Sequence, residues 1–363
     1  MENNTTANKT IFITGGAGYV GEMLCDQFAK RDDVSKIITL DKEPQSDFSK
    51  QIPKLTYIQS NMADEGWQAE AAKHSPDTVI HTAWQIRAMY GDAKEQWRWN
   101  VEGSDKVFDF AIATNSVKKV IYFSTASSYS ARKDNRFEHL FTEDEGFRDD
   151  DYIYAHEKKV TEEHLAEKYK AAGRSDLSVV VVRPAAITGP RGRYMRIRFG
   201  LQSALQGNLK GSPVYKIVTL LTSFVPATKG WVRQFIHEDD VNDLVQYFTF
   251  NSAPSQYEVY NITPVSEPVF APDMAKAVGK KILPITPTMA RIAFAFFWHA
   301  TRGKIPTCPG SWRFYSYPVV MSGEKLATVY TCAYSSKDAF QYTDGRYESY
   351  IDEAHKRRKA ANS

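Results

Sequence analysis

Short apolar runs recur along the first half of the chain. Residues 10–14, 36–41, 55–59, 78–81, 120–124 and 178–183 are rich in Val, Ile, Phe and Tyr. A run that is apolar throughout, rather than alternating, predicts a strand covered on both faces of a parallel sheet. Between these runs lie longer amphipathic stretches, 21–29, 65–73, 93–113 and 154–171, which predict helices. Strand and helix in alternation predict a doubly wound parallel α/β sheet. After Pro184 the alternation stops. Residues 192–230 are rich in Gly, Pro and Thr with apolar islands, and 257–340 mix short strands and helices. This half predicts a smaller mixed α/β lobe that holds substrate where it meets the carboxyl ends of the strands.

The first strand runs into Thr14 and then Gly15, Gly18 and Gly21, with a helix after them. Glycines there let backbone amides approach a pyrophosphate, and the positive end of the helix dipole faces it. The next strand ends in Asp41, a carboxylate suited to the two ribose hydroxyls of an adenosine. It would repel a 2′-phosphate, so the cofactor reads as NAD, with NADP less favoured. Lys42 beside it weakens that preference. The sheet therefore reads as a Rossmann sheet. The expected divisions are a disordered tail over 1–8, a cofactor-binding domain over 9–190, and a lobe over 191–350. From that lobe, 231–262 is expected to return to the sheet, and 351–363 form a charged tail.

Tyr154 and Lys158 lie at helical i, i+4 spacing and so share a face. An ammonium beside a phenol lowers its pKa, and a phenol so tuned can exchange a proton with a substrate hydroxyl. The fifth strand ends in a hydroxyl cluster from Ser124 to Tyr129. Thr125 is the first choice to hold the same substrate oxygen, with Ser124 and Ser127 as fallbacks.

Composition narrows the classes. The net charge is +3 with Lys and Arg scattered over 363 residues, which does not indicate a nucleic-acid surface. Cys25, Cys308 and Cys332 stand far apart, giving no zinc motif and no disulfide framework; this fits a reducing cytoplasm. No metal site is expected. The N-terminus is polar and does not read as a signal peptide. The longest apolar stretch, 289–298, is shorter than the about 20 residues a bilayer-crossing helix needs. It predicts a helix buried in the lobe; a cap over an apolar substrate, or a surface resting on a membrane interface, is the sharper alternative.

From about Lys9 to Tyr347 the chain resembles the extended short-chain dehydrogenase/reductase superfamily, in its nucleotide-sugar epimerase/dehydratase branch. The resemblance is carried by TGGAGYVG at 14–21, Asp41, HTAW at 81–84, Asn100, Gly103 and Ser104. It continues in FSTASSY at 123–129, YAHEK at 154–158, Arg183-Pro184, TGPRGR at 188–193 and RQFIHEDDV at 233–241. It implies an NAD-dependent enzyme with Thr125, Tyr154 and Lys158 as catalytic set. The cofactor would lie on Gly15, Gly18, Tyr19, Val20 and Asp41, with Asn61 and Met62 near the adenine. His81, Ala83, Ser124, Tyr154 and Lys158 would flank the pyrophosphate and nicotinamide ribose, and Pro184 and Ile187 the nicotinamide. Asn100 would brace the helix behind the site. Substrate would meet Trp84, Arg87, Thr125, Ala126, Arg233 and Arg313. Arg233 would grip a nucleotide diphosphate, unless it pairs with Glu238, Asp239 or Asp240. His237 is expected to be structural. The resemblance also implies a homodimer, and residues such as Val107, Phe108, Phe110, Ala111, Val160 and Leu165 look like more apolar surface than one face needs.

Two departures bear on the reaction. Trp84 stands where a small residue is usual. Ala126-Ser127 stand where dehydratases carry Asp-Glu, which argues against 4,6-dehydration. The leading expectation is a 4-epimerase of a nucleotide sugar. The alternatives are a dehydrogenase or reductase of an apolar alcohol or carbonyl, and a non-catalytic NAD(H)-sensing protein.

Overall fold

The computed structural model describes residues 8–148, 151–194, 213–341 and 344–350. The expected tails, apart from residue 8, and residues 195–212 of the lobe lie outside the described residues. Strands β1 (Lys9–Thr14), β2 (Val34–Asp41), β3 (Leu55–Gln59), β4 (Thr78–His81), β5 (Lys119–Phe123) and β6 (Ser178–Pro184) form the central sheet. A seventh strand, Tyr257–Ile262, joins it beside β6, and every pairing is parallel. The spatial order 3-2-1-4-5-6-7 reverses direction after β1. Such a switch point opens a crevice at the carboxyl ends of the strands.

The helices are α1 (Tyr19–Ala29), α2 (Trp67–Ala72), α3 (Ala93–Trp97), α4 (Gly103–Ala113) and α5 (Ile153–Ala172). Helix α1 starts two residues before the sequence boundary. The expected single helix over 93–113 is interrupted by a π-helical turn at Arg98–Glu102, which carries Asn100. The apolar runs are buried as parallel strands require: Ile11, Phe12, Ile13, Ile37, Ile38, Val79, Ile80 and Val179 have no exposed surface.

Val107, Phe108, Ala111 and Leu165 belong to this core, as does Phe110. These five of the residues that suggested a two-fold partner are therefore spent inside the protomer, while Val160 is half-buried. The outer sides of α4 and α5 are joined instead by His164–Asp105 and Lys168–Asp109.

Beyond β6 come α6 (Pro190–Tyr194), α7 (Pro213–Leu221), α8 (Glu238–Phe250), α9 (Ala271–Ala277) and α10 (Pro287–Ala300). Within 231–262 only Tyr257–Ile262 enters the large sheet. Phe235–His237 pairs with Ala186–Thr188 in a separate parallel ladder, and Val232–Arg233 pairs antiparallel with Val269–Phe270. These ladders hang the lobe over the carboxyl end of the sheet.

Candidate active site

One cavity of about 1650 Å³ runs from the glycine turn, across the ends of β4, β5 and β6, into the lobe. At its head, Gly15 has φ +82°, and a Cβ there would lie 2.8 Å from the Ala83 amide nitrogen. A Cβ at Gly21 would collide with the Gly15 carbonyl. Gly18 caps α1, so the helix N-terminus opens on the cavity. Asp41 accepts from the Ala17 amide at 3.0 Å and the Glu43 amide at 3.0 Å, which pins the carboxylate beside the turn. Lys42 is held by Glu43 at 2.8 Å and lies 4.5 Å from the Trp99 ring. The cation that weakened the preference for NAD is thus engaged elsewhere. Tyr19, Val20, Asn61, Met62, Ala83, Pro184 and Ile187 also line the cavity. This cradle fits a dinucleotide: free backbone amides at a helix start, no room for a side chain, and a carboxylate at the ribose end.

Three of the anticipated contacts sit one layer deeper. His81 is buried and absent from the cavity wall. It belongs to a relay in which Ser104 donates to the Asn100 carbonyl and the His81 Nε2–H to Ser104 at 2.8 Å. Thr14 then donates to His81 Nδ1 at 2.6 Å and receives the Ala83 amide at 3.3 Å. Burial, with Lys158 nearby, depresses the His81 pKa well below its ordinary value and keeps it neutral. His81 therefore positions Ala83 rather than touching a ligand. Ser124 is likewise behind the wall, 3 % exposed, its hydroxyl without a partner among the described residues. Lys158 donates to the Phe123 carbonyl and lies 3.7 Å from the Trp84 ring centre. Trp84 covers it, and burial pushes its pKa well below the usual ammonium value.

Tyr154 and Thr125 both line the cavity, and the Thr125 hydroxyl favours the Tyr154 phenolate. Thr125 Oγ1 receives the Ser127 amide at 3.1 Å, which leaves its proton free to be donated. The expected lowering of the Tyr154 pKa by Lys158 is not what the structure gives. Burial pushes the phenol up, and the Thr125 hydrogen bond is what opposes it. The ammonium is turned toward Phe123 and Trp84 instead. Behind the pair, Asn100 ties the loop after β4 to α5. It receives the Gln85 amide at 2.8 Å and donates to Glu157 at 2.7 Å.

On the lobe side, Arg233 lines the cavity and donates to the Val232 carbonyl at 2.8 Å. None of the proposed acidic partners reaches it. Glu238 receives Tyr19, Arg191 and Gly192; Asp240 receives Tyr330, Ala333 and Tyr334; Asp239 receives the Arg346 amide. Desolvation lowers the Arg233 pKa to about 10. Arg313 is spent on Asp151 at 2.7 Å, and Arg87 is exposed; neither lines the cavity. His237 is a buried brace, receiving the Asp239 amide and donating to the Asp344 carbonyl at 3.0 Å. Sequence reasoning missed the aromatic wall of Tyr152, Phe314 and Tyr315, which closes in from residues distant along the chain. Phe314 and Tyr315 follow Arg313 directly, and it is these aromatic residues rather than the arginine that reach the cavity.

A family model described as the NAD dependent epimerase/dehydratase family matches residues 11–263. The chain belongs to this family. Its members are enzymes, and their cofactor is NAD. The chain is 26 % identical over 196 residues to dihydroflavonol 4-reductase of Solanum lycopersicum, covering 50 % of each protein. It is 27 % identical over 187 residues to N-acetyl-α-D-glucosaminyl-diphospho-ditrans,octacis-undecaprenol 4-epimerase of Escherichia coli O157:H7, covering 51 % of each. The chain spans about half the length of the curated relatives it matches. The structure of the Bordetella bronchiseptica enzyme WbmG in complex with NAD and UDP shares the fold, with TM-score 0.65 and 19 % identity over 94 % of both chains.

NAD should be preferred over NADP. Asp41→Ala should weaken NAD binding and narrow its advantage over NADP in parallel titrations, because the carboxylate at the ribose end is removed. Tighter binding of NADP than NAD by the unchanged protein would contradict this assignment.

Proposed function

We propose that the chain is an NAD-dependent 4-epimerase of a nucleotide-diphosphate sugar. The observation that carries this reading is Arg233, a desolvated guanidinium on the cavity wall with no carboxylate against it among the described residues. Arginine grips a diphosphate in bidentate fashion, and the low dielectric around Arg233 strengthens that contact. The polyprenyl-linked 4-epimerase relative is named for a sugar joined to a diphosphate, the same group Arg233 would meet.

NAD, when bound, supplies hydride uptake and return at the substrate carbon. Tyr154 takes the proton of the substrate hydroxyl and gives it back after the sugar has turned. Thr125 holds the same oxygen, and its hydrogen bond favours the phenolate. Asn100, Gln96 and Glu157 fix α5 so that Tyr154 stays aimed at the cavity. Ala126 and Ser127 line or adjoin the same wall and offer no carboxylate for eliminating water.

The second reading is a reductase of an apolar carbonyl. It is favoured by Trp84, Phe294 and Phe314 on the wall. Turnover assays with nucleotide sugars, against lipophilic alcohols with NAD reduction followed at the nicotinamide absorbance, separate the two. The epimerase reading predicts inversion without net NADH, and steady NADH formation overturns it. A cytoplasmic homodimer is proposed with it; a monomer by light scattering at micromolar concentration would refute the dimer.

A further inference from the structure

The stretch over 289–298 was expected to be a helix buried in the lobe, with a cap over an apolar substrate or a surface resting on a membrane interface as the sharper alternative. Instead α10 has two apolar stripes. Ala290, Phe294, Phe297 and Trp298 face inward, while Met289, Ile292 and Phe296 stand 52 %, 65 % and 53 % exposed. Their i, i+3, i+7 spacing places the exposed three on one side of the helix. Helix α7 packs against α10 through Val218 and Phe297, with Ile305 beyond α10 in the same cluster, and it too presents Ile217 and Leu220 outward. Phe224, 40 % exposed, continues this surface to the cavity, whose wall it joins with Phe294.

The charge around this face is one-sided. Residues 177–237 contain no Asp or Glu, and neither do 274–323. The second stretch carries Lys276, Lys280, Lys281, Arg291, Arg302 and Lys304, with Arg313 engaged by Asp151. A chain with net charge of only +3 thus gathers cations along the segments that bear the apolar stripes. An outward apolar stripe flanked by cations is the pattern of a helix lying in a lipid headgroup region. No helix among the described residues is long and apolar enough to cross a membrane.

We propose that the α7–α10 face docks on an anionic membrane surface, with the mouth of the cavity beside the lipid. A second copy pairing through the same face would set like charges against each other, which disfavours a two-fold contact there. The inference does not depend on the reaction, since it is read by binding alone.

The test is co-sedimentation of the full chain with phosphatidylcholine vesicles with and without phosphatidylglycerol. Binding should require the anionic lipid and fall as salt rises, because screened headgroup attraction is part of it. The Ile292→Glu/Phe296→Glu variant should bind on the order of tenfold more weakly, having lost two side chains that enter the interface. Lys281→Glu/Lys304→Glu should bind more weakly and lose salt dependence. Neither change touches the glycine turn, so both variants should keep the thermal stabilisation that NAD gives, which serves as the control for folding. Equal binding to both vesicle types, or undiminished binding by the first variant, overturns the proposal. So does an oligomer that the first variant abolishes in the absence of any vesicle binding.

Discussion

Tyr154→Phe should lower turnover by ~10²–10⁴-fold, the usual contribution of a positioned proton-transfer group, with NAD affinity nearly unchanged. The substitution keeps the ring that packs against Tyr152, 5.7 Å between centres, and deletes only the hydroxyl whose ionisation Thr125 favours. The pH profile adds an independent check. Tyr154 acts as a base only as phenolate, and burial raises its pKa, so kcat/KM of the free enzyme should rise with pH on the limb that reports it. Thr125→Val removes the interaction that pulls the pKa down. That limb should therefore move to higher pH in the Val variant. A Phe variant that keeps most of its activity would remove Tyr154 from the chemistry. A Thr125→Val limb that stays in place would mean the two hydroxyls are not coupled during turnover.

The sheet could be read from the chain because buried parallel strands leave unbroken apolar runs, and β1 to β6 lie at those runs. The site was legible to the depth of the backbone. The strand ends placed Thr125 and Ala83 at the carboxyl edge, and both reach the cavity. What spacing did not give was direction. Ser124 turns inward just past the end of β5 while Thr125, which opens the turn after it, lines the cavity, and His81 is sealed at the end of β4 behind Ala83. Lys158 shows a second reason. Its face of α5 was right, but Trp84, far off in the chain, covers it. Partners such as Asp151 for Arg313, 162 positions apart, leave no local trace. The outward stripe of α10 was hidden for a related reason: a helix apolar all round reads as buried, and only its neighbours decide which side is covered.

Arg233→Ala should raise the KM for a nucleotide-diphosphate sugar steeply and leave NAD binding almost untouched. Truncating one partner of a buried charge pair costs about 2–5 kcal/mol, roughly 30- to 5,000-fold in affinity. The effect on stability discriminates between the two roles this arginine was given. Were Arg233 a structural ion pair with Glu238, Asp239 or Asp240, its loss would strand a carboxylate and lower the melting temperature. Glu238 and Asp240 are held by Tyr19, Tyr330 and backbone amides and Asp239 by the Arg346 amide, while Arg233 is desolvated without a countercharge among the described residues. Its removal should therefore leave the unliganded protein as stable as before, or slightly more so, because an uncompensated charge leaves a low-dielectric wall. A thermal-shift screen reads both halves at once. Nucleotide sugars should stabilise the unchanged protein and lose that effect in the Ala variant, while NAD stabilises the two alike. Stabilisation by neutral lipophilic alcohols alone, untouched by Arg233→Ala, would make the apolar-substrate reductase the better account, with Trp84 and Phe294 as its pocket walls.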